Sequence, residues 1–190
     1  MANSMYGKGR EAFLEGLIAA TSDTLALSLV TTAYTPSLSA DQFYSTITGS
    51  GGVTAGPVTL TTVTGLLGTL SADNVVFTSV SGSASSYLVL FKNTGTPSSS
   101  RLIGLIDTAT GLPVTPNGGN ITVAWASGQV FTLCEAVKSG AYFPPPKIIV
   151  HKPTKEQAER HAQWVADQRE AAEIQRRHFD RFGHGIPVLG

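Results

Sequence analysis

The stretch Thr24-Leu25-Ala26-Leu27-Ser28-Leu29-Val30 sets three leucines at alternate positions, with smaller residues between them. A period of two is the pattern of a half-buried strand, because successive side chains of a strand point to opposite faces. Outward from it, short β-forming runs follow at Val58 to Thr64, Asn74 to Val80, Ser86 to Lys92, Arg101 to Asp107, Asn120 to Ala126 and Gln129 to Glu135. Clusters such as Asn93-Thr94-Gly95-Thr96-Pro97 and Pro116-Asn117-Gly118-Gly119-Asn120 separate them and supply the φ values that turns need. No run between them has the length and period of a crossover helix. The expected fold is mainly β, an antiparallel β-sandwich or barrel.

Ahead of the first strand, Tyr6 to Gly16 places Ala12, Phe13, Gly16 and Leu17 at helical spacing and reads as a short amphipathic helix. The stretch Tyr34 to Gly56, with Phe43, Tyr44 and the run Gly49-Ser50-Gly51-Gly52, reads as a long loop of the functional or mobile kind. The one cysteine, Cys134, sits in an apolar alternating run and is expected to be buried.

Charge divides the chain. Of 13 Lys and Arg and 13 Asp and Glu, eight basic and six acidic residues follow Phe143, together with all four histidines. Three units follow: a β-rich body over residues 1–143, a Pro-rich extended linker over 144–153 beginning Pro144-Pro145-Pro146, and a charged helical arm over 154–190. Within the linker, Lys147-Ile148-Ile149-Val150-His151-Lys152 is β-prone and suited to pair with a sheet edge, its own or a neighbour's. Thr154 with Gln157 has the form of a capping box, so a helix is expected from Lys155 to about Phe182, where Gly183, Gly185 and Pro187 end it. Trp164, Ala171 and His178 recur every seven residues, and Ala158, Ala162, Val165, Ala172 and Phe179 form a second narrow stripe. Such a helix offers one docking face.

The chain lacks the patterns that carry enzymatic chemistry. No His precedes His151, which excludes a Ser-His-Asp triad within the body, and no Gly-x-Ser-x-Gly elbow occurs. His161, His178 and His184 are not paired at i,i+4, and Gly65-Leu66-Leu67-Gly68 lacks the lysine of a phosphate loop. Asp23, Asp41, Asp73 and Asp107 each neighbour turn-forming residues and read as structural. Arg176-Arg177 lies between Glu173 and Asp180, the signature of a charge-laced helix face rather than a nucleic-acid contact. No signal peptide and no membrane span is expected, so the chain reads as soluble and made in a cytoplasm. The expectation is a non-enzymatic protein with no cofactor or metal.

Several blocks carry a family resemblance. Tyr6-x-x-Gly9-Arg10-x-x-Phe13-Leu14-x-Gly16, Asp23-Thr24, Ala33-Tyr34-Thr35-Pro36 with Asp41-Gln42-Phe43, and Arg101 to Gly119 followed by Ile121-Thr122-Val123-x-Trp125 resemble small virion structural proteins of tailed bacteriophages. The resemblance covers about residues 1–135 and carries no site residues. It implies a capsid-associated virion component, and the extension after Ala136 departs from shorter members. A capsid decoration or cement protein is the leading expectation, binding the major capsid protein and joining further copies of itself through the arm. Ile148, Ile149, Val150, Trp164, Val165, Ile174 and Phe179 are its expected interface residues. A head-to-tail connector, tail-completion or fibre-anchoring protein is the second reading. A carbohydrate-binding β-sandwich, with Tyr34, Phe43, Tyr44 and Trp125 as stacking faces, is the third.

Overall fold

The computed structural model describes residues 3–133 and 146–182, with the side chains at 175 and 178–182 outside that description. Cys134, Pro144 and Pro145 lie outside the described residues. The elements are β1 (Ser4–Met5), α1 (Gly7–Leu14), β2 (Leu25–Val30), α2 (Ser45–Gly49), β3 (Val53–Thr59), β4 (Thr64–Leu66) and β5 (Thr69–Ser71). They continue with β6 (Val75–Phe77), β7 (Tyr87–Lys92), β8 (Leu102–Ile106), β9 (Ile121–Ala124), β10 (Gln129–Thr132), β11 (Lys147–Val150) and α3 (Lys155–Phe182).

The strands form three sheets whose strand pairings are all antiparallel: a five-stranded sheet in the order β1-β8-β7-β2-β3, and two three-stranded sheets in the orders β10-β5-β4 and β11-β9-β6. The chain is thus mainly β, and the open sheets do not close into a barrel. The expected strand at Val58 to Thr64 divides: β3 begins five residues earlier, at Val53, and Thr64 opens the β4–β5 hairpin instead.

β2 is buried along its whole length. Leu25, Leu27 and Leu29 join Leu88, Leu90, Phe77, Ile121, Val123 and Phe131 in the larger core, between the large sheet and the small ones. Ala26 and Val30 face the other way, into a second core with Phe91, Leu102, Tyr6, Tyr34, Tyr44 and Ile47. The reading of β2 as half-buried is therefore corrected. Its small residues leave room for the segment between β2 and β3 to pack down on the outer face.

That segment is the stretch expected to be a functional or mobile loop. The Tyr44 ring stacks on Phe91 with centroids 4.0 Å apart and planes at 9°. Its hydroxyl shares a 2.8 Å hydrogen bond with Ser28 Oγ, which satisfies the one polar side chain of β2. Tyr34 Oη donates to the Asp41 carboxylate at 2.6 Å and shares a 2.9 Å bond with Tyr6 Oη. The Ser37 amide donates to the same carboxylate at 2.8 Å. Together these bonds turn an uncharacteristic loop sequence into a sheet cover.

The two small sheets are halves of one bent ribbon. β5 and β6 follow each other across Ala72 to Asn74, and β9 and β10 across a 3₁₀ turn at Ala126–Gly128. Residue pairs run from Phe77 opposite Ile121 to Thr69 opposite Thr132. The kink is held by Trp125, whose indole N–H donates to Asp73 O at 3.0 Å and whose amide donates to Asn74 Oδ1 at 3.2 Å.

Burial pushes the phenol pKa values of Tyr6, Tyr34 and Tyr44 upward, because a phenolate loses its hydration there. Tyr6 and Asp41 raise Tyr34 further. An acid with a raised folded pKa contributes stability that is complete below its unfolded value, about 10, and is lost as pH rises past it. Alkaline titration should therefore show these three tyrosines forming phenolate, read by ultraviolet absorbance, only as tertiary circular dichroism collapses. Tyr34→Phe should cost about 1–2 kcal/mol, seen as a Tm lower by roughly 2–8 °C.

Candidate interaction site

At one end of the bent ribbon, β6 and β9 are closed by Val80 and the Gly118-Gly119 turn. The Val80 amide donates to Gly119 O at 2.9 Å, and the Gly118 amide to Val80 O at 2.8 Å. β11 adds to β9 in the register Lys147 opposite Ala124 through Val150 opposite Ile121. The Ile148 amide donates to Thr110 O at 2.7 Å and its side chain enters the larger core. The β-prone run after the prolines thus pairs with its own body, which takes in part of the segment that composition marks as linker. A Cβ at Gly111 would lie 2.6 Å from Ile148 O, and one at Gly119 would lie 2.5 Å from His151 O, so both positions exclude a side chain.

The helix starts where the capping box predicts. The Thr154 amide donates to Gln157 Oε1 at 2.9 Å, and the Gln157 amide donates to Thr154 Oγ1 at 3.3 Å. The Nε2 of the same Gln157 side chain donates to Ser79 Oγ at 3.0 Å and Asn120 Oδ1 at 2.9 Å. One amide group therefore caps the helix and ties it to the ribbon. A turn later, His161 Nδ1 lies 3.0 Å from Ser81 Oγ, and the imidazole stacks on Trp164 with centroids 5.9 Å apart. Gly118, at φ 82°, makes this contact possible, since a Cβ there would sit 2.5 Å from His161 Cβ. Ser79, Ser81, Gly118, Gln157, His161 and Trp164 line a shallow groove of about 180 Å³.

Past this base the helix leaves the body. Among the described residues, the side-chain hydrogen bonds of α3 after His161 stay within the helix, as in Gln163 to Asp167 and Arg177 to Glu173. Its 28 residues span on the order of 40 Å, and the contacts with the body among the described residues lie in the first two to three turns.

The expected interface residues are dispersed. Ile148 is buried in the protein's own core, while Ile149 and Val150 are part-exposed on β11. Trp164 is 40% exposed at the rim of the groove, and Val165 follows it, half-buried. Ile174, nine residues on from Val165, faces the opposite side of the helix at 49% exposure. The side chain of Phe179 lies outside the described residues.

Sequence reasoning missed a second apolar surface. Leu66 and Leu67 stand 74% and 91% exposed at the tip of the β4–β5 hairpin. Leu67 (φ 50°) and Gly68 (φ 77°) form a tight turn that ordinarily takes Asn-Gly, so a leucine there costs about 1 kcal/mol. With Phe13, Ala20, Phe131 and Leu133 they line a cleft of about 280 Å³. The Leu-Leu-Gly sequence between short β runs was the available signal. Because the Leu133 amide donates to Gly68 O at 2.7 Å, this cleft lies at the far end of the ribbon from the helix base.

A further cleft, of about 440 Å³, lies beside β3 and is lined by Tyr44, Val53, Pro57, Asn93 and Pro97 among others, without an acidic, basic or His side chain. The aromatic residues weighed as glycan-stacking faces do not present open rings: Tyr44, although it borders this cleft, is stacked on Phe91. Tyr34, Tyr44 and Trp125 are buried, and Phe43 lies beneath the Arg101 guanidinium at 5.2 Å. No group of three or more metal-ligating side chains occurs among the described residues. No described helix is long and apolar enough to cross a membrane. Neither a protein-family model nor a curated protein sequence matches the chain.

Gln157→Ala removes the helix cap and both body contacts of one amide. It should free the helix base without unfolding the body, costing about 1–2 kcal/mol locally. Tryptic cleavage at Arg160 should accelerate roughly tenfold while the main thermal transition moves by no more than a few degrees. Gly118→Ala should act in the same direction through its clash with His161.

Proposed function

We propose that this protein is a non-enzymatic structural component of a tailed-bacteriophage virion, a capsid decoration or cement protein. Its body would sit on the major capsid lattice and its arm would reach a neighbouring subunit. The observation that carries the reading is a 28-residue helix that, among the described residues, is held at its base, at one end of a ribbon whose other end presents exposed leucines. A free-standing helix of this composition gains stability mainly when its uncharged face is covered, and apolar patches on a surface mark contact sites. We read the two layers around the larger core, the five-stranded sheet and the bent ribbon, as a sandwich-type body suited to repeated contacts. The family resemblance over about residues 1–135 points the same way.

Copy number tests the role: a cement protein is present in hundreds of copies per particle, a connector or tail-completion protein in roughly a dozen or fewer. Quantitative gels of purified virions should give this chain in a fixed ratio near that of the major capsid protein. Truncation after Trp164 keeps the capping box and β11, so the body should fold normally while particle occupancy falls several-fold. Occupancy equal to the full chain would remove the arm from the binding role. Leu67→Asp should likewise lower occupancy with little change in Tm.

A further inference from the structure

Asn117-Gly118 is the one Asn-Gly pair in the chain. In such a pair no Cβ shields the glycine nitrogen, which makes it the best placed of backbone nitrogens to attack the preceding carboxamide. The reaction balances with water alone. The Gly118 nitrogen gives its proton to solvent base and bonds to Asn117 Cγ, while Nδ2 takes up a proton and leaves as ammonia, closing a cyclic imide. Water then opens the imide at either carbonyl. Opening at Cγ leaves an aspartyl residue at position 117. Opening at the main-chain carbonyl leaves an isoaspartyl residue, whose chain runs through the side-chain carbon and is one atom longer.

The fold holds this pair in an unreactive form. The Gly118 N–H that must ionise donates to Val80 O at 2.8 Å, and the Val80 amide donates to Gly119 O at 2.9 Å. The peptide cannot turn toward Cγ without disturbing both bonds. Asn117 Oδ1 accepts from the Gly119 amide at 2.9 Å, and Nδ2, the leaving group, donates to His151 O at 3.4 Å. The arm base closes over this turn, and Gly118 and Gly119 are buried. Where a Cβ of Gly118 would stand, His161 Cβ lies 2.5 Å away and Gln157 O 3.2 Å. At Gly119 the same place is crowded by His151 O at 2.5 Å and Pro153 N at 3.0 Å.

We propose that Asn117-Gly118 is a latent deamidation site guarded by the docked base of α3, and that its reaction turns a reversible release of the arm into a permanent one. Attack requires a local opening of the junction, so its rate follows the population of the open form. Neither product fits back. In the aspartyl form a carboxylate stands where Nδ2 donated to His151 O, which sets two acceptors face to face. In the isoaspartyl form the longer turn takes the two bonds to Val80 out of register. The proposal concerns the junction alone and does not rest on the virion reading.

Peptide mapping by mass spectrometry, on the full chain held in mildly alkaline buffer, tests the guard. Deamidation at Asn117 should run at least about tenfold slower in the native protein than in the same chain unfolded in urea. A native rate equal to the unfolded one would overturn the proposal. Gln157→Ala should deamidate about fivefold faster than the native protein. Ala158→Pro, which removes the Ala158 amide bond to Thr154 O, opens the same base by a second route and should do likewise. Unchanged deamidation in both variants would remove the arm from the guarding role. Tryptic cleavage at Arg160 tests permanence. Asn117→Asp, and the deamidated fraction of aged native protein separated by anion exchange on its added charge, should each be cut about tenfold faster than fresh protein. Cutting of both at the fresh rate would show that the arm docks again after the reaction and would overturn the permanent release.

Discussion

The six residues of β2 have no face turned to water, and the rest of the body is organised around that constraint. The strand's backbone is paired on both sides, by β7 and β3. Its leucines need a partner layer, which the bent ribbon supplies. Its other face needs a second cover, which comes from Tyr34, Tyr44 and Ile47 on the connection to β3. Each leucine buried in this way contributes about 2 kcal/mol relative to exposure. Ser28 is tolerated in that environment because Tyr44 supplies its hydrogen bond.

The same economy of partners governs the junction with the arm. Three glycines, Gly111, Gly118 and Gly119, mark places where another part of the chain approaches the backbone too closely for a Cβ. All three approaching groups belong to the segment from Ile148 to His161, so the end of the ribbon is shaped to receive β11 and the first turns of α3. Turn chemistry and docking are one feature there: the positive φ that makes Gly118 a turn residue also opens the space into which His161 fits.

Much of this was legible in the sequence because local signals and tertiary structure agreed. The strands at β2, β7, β8, β9 and β10 follow alternating or continuous apolar runs, and the Thr154–Gln157 box marks the helix start to the residue. What escaped was decided by long-range contacts. Tyr34 to Gly52 looks like a loop because its order comes from one stacked ring and a few tyrosine hydroxyl bonds, none of which has a periodicity. The β4–β5 hairpin left only a weak signal, the glycine of Leu66-Leu67-Gly68, because Leu67 occupies a turn position that ordinarily announces itself with Asn or Gly. At the site, Gln157 was legible as a cap but not as an anchor, since its second set of partners, Ser79 and Asn120, is 78 and 37 residues away.

Rooting a long helix at its first turns also makes it a lever. A rotation of about 10° at the base would carry the far end of a ~40 Å helix through roughly 7 Å, more than the width of a side chain. The aim of the tip is therefore governed by a few short contacts, above all the Gln157 amide and the His161 ring seated over Gly118. Any ligand, neighbour or substitution that shifts those contacts by a fraction of an ångström is amplified at the distal end. The fold thus converts a small adjustment at the ribbon's end into a large displacement of the helix tip.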